Sequence, residues 1–233
     1  MSRTDVVVEQ FKTMITSGRF VPGQKLPTED ELAAELRVSR SALREAVRAL
    51  TFAHILRTRQ GDGTYVTTLE PELLFESLGS MMDLVDEATL VELYQVRRIL
   101  EPAAAALATA RVGTDDIERL EQCIDRMAAA EQPDDFIDAD IEFHHVLVSA
   151  AGNAVLTAMN GLLATRSVRA RLWRAREEVR ATHDAVVVHR EIVAALQEHD
   201  ADLVRAVCAS HIADGERWLR SASSRAEASA AES

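Results

Sequence analysis

Val38-Ser39-Arg40-Ser41-Ala42-Leu43-Arg44-Glu45-Ala46-Val47-Arg48-Ala49-Leu50 decides how the first third of this 233-residue chain folds. Ser39 is a helix N-cap residue. The helix it opens, Arg40 to about Phe52, has an apolar face of Leu43, Ala46, Val47 and Leu50. That spacing turns Arg40, Arg44 and Arg48 to the opposite face. Just upstream, Thr28 with Glu31 three residues on forms a capping-box pattern, opening a short helix that runs to Leu36. Two short helices in succession, the second faced with arginine, predict a helix-turn-helix.

Towards the N-terminus, Val7, Phe11, Met14 and Ile15 recur at helical spacing between Asp5 and Ser17, and Gly18 stands where a helix would stop. Pro22, Gly23 and Pro27 impose the turn that follows. Towards the C-terminus, residues 55–58 and 64–68 are β-favouring runs around Gln60-Gly61-Asp62-Gly63, which predicts a two-stranded wing. Beyond Glu70 there is scarcely a strand signal. Pro71, Gly113, Pro133, Gly152 and Asp200 punctuate helical periods near 71–85, 89–111, 114–131, 134–151, 153–179, 182–199 and 200–221. The expected fold is mostly α: a winged helix-turn-helix of three helices over 1–69, then an all-α antiparallel bundle of about seven helices over 70–221. The Ser-, Ala-, Glu- and Arg-rich tail, 222–233, is expected to be disordered.

The formal charge of −12 is unevenly spread. Residues 1–69 hold 10 basic and 8 acidic side chains, so the acidity belongs to the remainder. Arg37, Arg40, Arg44, Arg48, Arg57 and Arg59 stand against Glu45 alone within 36–60. A phosphate backbone suits such a stripe, although a run of this kind on charge alone is also compatible with a solvated helix face. Cys123 and Cys208 show no paired spacing and fall in amphipathic periods, as buried thiols do. A cytoplasmic protein is expected: no signal-peptide pattern opens the chain, and no segment approaches the roughly 20 apolar residues of a membrane span.

The stretches Pro22-Gly23-Gln24-Lys25-Leu26-Pro27-Thr28-Glu29, Val38 to Ala46 and Gly61-Asp62-Gly63-Thr64-Tyr65-Val66 resemble the GntR family of winged-helix regulators. Val96-Arg97-Arg98-Ile99-Leu100-Glu101-Pro102, Asp140-Ile141-Glu142-Phe143-His144 and Ala151-Gly152-Asn153, with His189 and His211, resemble the FCD effector domain of that family's FadR-type branch. The resemblance implies a homodimeric, cytoplasmic, non-enzymatic regulator, usually a repressor, that releases operator DNA when an organic or sugar acid binds. At Asp30 the chain departs from one branch, in which an arginine there contacts DNA.

The start of the second helix of a helix-turn-helix enters the major groove, so Arg40 and Arg44 are the candidates for base contacts. Ser39, Ser41 and Arg48 lie nearer the backbone. Gly61 and Gly63 allow the wing tip a close approach to the minor groove, with Arg59 and Gln60 as its polar groups.

In the bundle, Asp140 and His144 share one helix face, while His189 and His211 fall on the inward stripes of two later helices. Any one of these histidines alone reads most simply as a satisfied core residue. Four inward ligands on three helices form a borderline N/O metal set, and the resemblance implies a divalent ion, with Zn²⁺, Ni²⁺ and Mn²⁺ all admissible. Arg97 sits on the apolar stripe Leu93, Arg97, Leu100, Ala104 and needs an anionic partner. Glu101 one turn on is one candidate and an effector carboxylate the other; the resemblance implies the latter. Two other functions use the same residues: a regulator for which the ion is the signal, and a metal-dependent hydrolase. The hydrolase lacks a further inward carboxylate to serve as general base.

Overall fold

The computed structural model describes residues 2–73, 75, 87–177 and 179–231. The chain divides into two compact units, residues 1–80 and 81–233, each with its own core.

The first unit opens with α1 (Arg3–Thr16), whose Ser2 and Asp5 form a capping box. In α2 (Glu29–Leu36) the Thr28 and Glu31 side chains cap one another's backbone N–H as the sequence predicts. The helix ends at Arg37, whose φ of 55° lies in the left-handed region and redirects the chain sharply. α3 (Arg40–Phe52) then starts under the Ser39 hydroxyl, which accepts from Ala42 N at 3.2 Å. Leu43, Ala46, Val47 and Leu50 are buried against Val7, Phe11 and Leu32, so all three helices close on one small core. β1 (Leu56–Arg59) and β2 (Gly63–Val66) pair antiparallel with Leu56 opposite Val66 and Arg59 opposite Gly63. Leu56 and Val66 anchor the base of this wing in the same core, leaving its tip to solvent.

Seven helices follow among the described residues: α4 (Glu87–Ala108), α5 (Thr114–Ala129), α6 (Pro133–Ser149), α7 (Ala154–Arg166), α8 (Val168–Glu177), α9 (Val179–Gln197) and α10 (Ala201–Ala231). The helix expected near 71–85 falls mostly outside the described residues. α4 packs along α10, and α6 packs against α5, α7 and α8. Phe143, Leu147, Ile192, Leu196, Val204 and Ile212 are at most 2% exposed at the centre. Burying such a side chain contributes roughly 1.5–3 kcal/mol each.

Two differences from the sequence reading have physical causes. The single helix expected over 153–179 is broken at Ser167. Its hydroxyl donates to Ala164 O and accepts from Arg97 Nη1, and the second of these contacts only the folded bundle supplies. At the other end, α10 continues through Ala231, across residues expected to be disordered. Ala222 is still 1% exposed, and an Ala-rich segment extends a helix already nucleated by packing at little cost.

Candidate DNA-reading surface and metal centre

Arg40, Ser41, Arg44 and Arg48 all lie on the exposed face of α3. Arg40 Nε is 3.0 Å from Asp30 and Arg44 Nε 3.2 Å from Glu29, so the first turn of α2 holds both guanidiniums by ion pairs. The sequence reading noted Asp30 as a departure without foreseeing this contact. Both pairs are largely exposed, and such pairs contribute at most about 1 kcal/mol, so they exchange readily for phosphates or bases.

At the wing tip Gln60 is exposed, and Gly61 has a φ of 74°, which the tight turn requires. Gly63 has φ 136°, and a β-carbon there would lie 2.8 Å from Lys25 Cε, so the absent side chain makes room for the lysine. Arg59 covers the Tyr65 ring at 4.8 Å. Lys25 and Tyr65 both bond to Asp62, at 2.9 and 2.6 Å. The sequence reading left Lys25 out of the site, although it lies inside the quoted Pro22–Glu29 motif.

In the second unit α6 carries Asp140 and His144, α9 carries His189 and α10 carries His211. One ligand atom from each lies within 4.8 Å of all the others. Asp140 Oδ1 is 3.7 Å from His144 Nε2 and 3.5 Å from His189 Nε2. Asp140, His144 and His189 are 4%, 1% and 0% exposed. Neither nitrogen of His144 or His189 makes a hydrogen bond, and stranding such donors and acceptors in a core costs roughly 1–3 kcal/mol apiece. One cation facing these nitrogens and the carboxylate satisfies them together. Ligand atoms around a zinc-sized ion stand about 3 to 4.4 Å apart, so the residues fit a divalent ion after a contraction of roughly a few tenths of an ångström. His145 and His183, which lie off the inward stripes, are exposed.

The surroundings of the cluster were only partly legible. Arg97 is 1% exposed and engages Glu101 through Nε at 2.5 Å and Nη2 at 3.3 Å, and Ser167 through Nη1 at 3.0 Å. Glu101 is therefore its partner, as one of the two readings held. The same carboxylate also places Oε2 2.9 Å from His144 Nδ1, beside the ring edge away from Asp140, though not aligned for a hydrogen bond in this conformation. Burial works to raise Glu101, but Arg97 and His144 outweigh it and hold the carboxyl well below its ordinary range. Asp140 is held low likewise, burial being overcome chiefly by Arg171, which bonds its outer oxygen. Arg171 is not singled out by the sequence, because its partner Asp140 lies 31 positions away. Arg97, Arg171, Tyr94, Asp140, His144 and His211 all line one cavity of about 70 Å³. Gly215 makes room for Tyr94, whose ring would lie 2.7 Å from a β-carbon there. Trp173 and Trp218 pack edge to face at 5.1 Å.

Two expected results follow from this geometry. Glu101→Gln removes the anion beside His144 and is expected to weaken zinc binding about 10- to 100-fold in competition with a chromophoric chelator. Unchanged affinity would show that Glu101 serves Arg97 alone. The second concerns pH. Burial, with neighbouring imidazoles adding to it, lowers His189 well below its ordinary value and His211 to about 4. Between that value and about 6.5 the unfolded chain binds more protons than the folded one. Ion-free protein should therefore gain stability as pH rises through this window and lose it as pH falls. Urea denaturation after chelation, at pH steps across the window, checks this; a flat profile would contradict neutral buried histidines.

Residues 3–66 match the bacterial regulatory proteins of the gntR family, and residues 92–214, more than half the chain, match the FCD domain. The chain is 26% identical over 229 residues to the galactonate operon transcriptional repressor of Escherichia coli (strain K12), covering 94% of this chain and 98% of that one. It is 33% identical over 144 residues to the HTH-type transcriptional regulator LutR of Bacillus subtilis (strain 168), covering 61% of this chain and 65% of that one. Among solved structures, Streptococcus agalactiae GntR superposes with a TM-score of 0.69 at 27% identity, covering 92% of this chain and 99% of that one.

Proposed function

Since the chain belongs to the GntR family of bacterial regulatory proteins and carries an FCD domain, it is a DNA-binding transcription regulator, and we propose that it is a repressor released from its operator by a small carboxylate metabolite. The observation that carries the effector half of this reading is the buried Asp140, His144, His189 and His211 cluster, opening on a cavity that Arg97 also lines. Those four residues would hold a divalent ion, Zn²⁺, Ni²⁺ or Mn²⁺ by ligand type. The ion supplies an electrophilic anchor for a carboxylate oxygen. Arg97 directs its remaining N–H groups at the same acid, since Glu101 and Ser167 occupy three of its five.

On the DNA side, Arg40 and Arg44 read bases from the start of α3, and Ser39, Ser41 and Arg48 hold phosphates. Arg59, Gln60, Gly61 and Gly63 lay the wing along the minor groove. The protein acts in the cytoplasm as a homodimer, placing two recognition helices on half-sites about 34 Å apart. No helix among the described residues is long and apolar enough to cross a membrane. Acid and DNA are linked reciprocally, so an acid that loosens DNA binds the DNA-free protein more tightly.

The test is fluorescence anisotropy on DNA from the protein's own upstream region, with organic and sugar acids titrated in with metal present and after chelation. Release by one acid that chelation abolishes supports the mechanism. Release by chelation alone, with every acid silent, supports the second reading, in which the ion is the signal. The sequence offers no further inward carboxylate beside the four ligands, but the structure buries Glu101 with Oε2 2.9 Å from His144 Nδ1; a metal-dependent hydrolase is disfavoured because that carboxylate is paired with Arg97.

A further inference from the structure

The cavity beside the cluster has a charge balance that bears on the class of acid it takes. Arg97 is paired with Glu101, both side chains at most 1% exposed, and Arg171 is paired with Asp140, the two being 10% and 6% exposed. As metal ligands the three imidazoles are neutral. Arg174, the third cation lining the cavity, pairs with Asp214, so the charges around the cavity cancel before anything binds. A divalent ion adds two positive charges to surroundings that compensate poorly for an isolated one. A monocarboxylate answers one of them.

The hydrogen-bond donors lead to the same count. Arg97 has two N–H groups left after Glu101 and Ser167. Arg171 bonds Asp140 through Nη1 and Ala164 O through Nη2, and its buried Nε has no hydrogen-bond partner. Of the three guanidiniums that line the cavity, Arg174 pairs with Asp214, while Arg97 and Arg171, each beside a buried carboxylate, retain donors suited to carboxylate oxygens. A cavity of about 70 Å³ admits only a short carbon chain between them.

We propose that the effector is a short dicarboxylate, with one carboxylate on the ion and Arg97 and the second on Arg171, which thereby serves as a specificity-determining residue. This rests on reading the cavity as an acid site. A monoacid leaves one of the ion's two charges unanswered, whereas a dianion answers both.

The test is calorimetric titration of the zinc-loaded full-length protein at pH 7 with matched pairs: L-malate against L-lactate, and tartronate against glycolate. The expected result is that at least one dicarboxylate binds about 10- to 100-fold more tightly than its partner, the range for one charge-assisted carboxylate seat. In Arg171→Gln that margin should shrink to about threefold or less, with Arg171→Lys recovering part of it and zinc affinity measured alongside in both. Should Arg171→Gln fail to hold zinc, the comparison within each pair on the unaltered protein still decides. Equal or tighter binding by every monocarboxylate overturns the dicarboxylate proposal and leaves the acid-sensing reading standing. No binding by either member of any pair overturns both.

Discussion

Alanine at His189 is expected to abolish the stabilisation that zinc confers while leaving the ion-free protein nearly as stable as before. His189 is fully buried and both its ring nitrogens lack hydrogen-bond partners. Truncation therefore removes two unsatisfied polar atoms, offsetting much of what the new cavity costs. With zinc the comparison reverses. An ion held at about a thousand times its Kd stabilises the folded state by roughly 4 kcal/mol, and a site stripped of one of four ligands loses most of that. The melting temperature measured with and without zinc should rise in the unaltered protein and stay flat in His189→Ala. An equal rise in both would move the ion elsewhere and remove the basis of the acid site. Operator binding without acid should persist in the variant, because His189 belongs to the second unit alone.

The second large effect is expected at the other end of the chain. Arg40→Ala should weaken binding to the preferred operator about 10- to 100-fold, the energy of a bidentate guanine contact, while binding to random-sequence duplex falls little. Stability should hardly change, because the pair Arg40 makes with Asp30 is 70% and 64% exposed. Operators selected from a random library, followed by anisotropy at several salt concentrations, separate the possibilities. A uniform loss on all sequences, with the salt slope reduced by about one, would make Arg40 a phosphate contact instead. Arg44→Ala, one turn on and tied to Glu29, is expected to behave in the same way.

The residues whose roles were legible in advance share a property. The Thr28 and Ser39 caps, the Leu43 to Leu50 stripe and the Gly61 turn are each specified by neighbours within a few positions. The helical faces of Asp140 and His144, and separately of His189 and His211, follow from periodicity in the same way. Even so, periodicity placed the four ligands only on inward faces; that their atoms converge within 4.8 Å is a property of the assembled bundle.

What escaped the sequence was long-range. Arg171 meets Asp140 across 31 positions and Arg97 meets Ser167 across 70, and no local pattern encodes either encounter. The break at Ser167 belongs with them, since its buried hydroxyl accepts from a guanidinium 70 positions away. The sequence by itself determined the helices, the wing and the inward faces, because backbone capping and apolar periodicity are satisfied within a few residues. Tertiary structure alone decided which buried charges answer one another, because a carboxylate in a core is stabilised by whichever cation the packing of distant helices sets beside it.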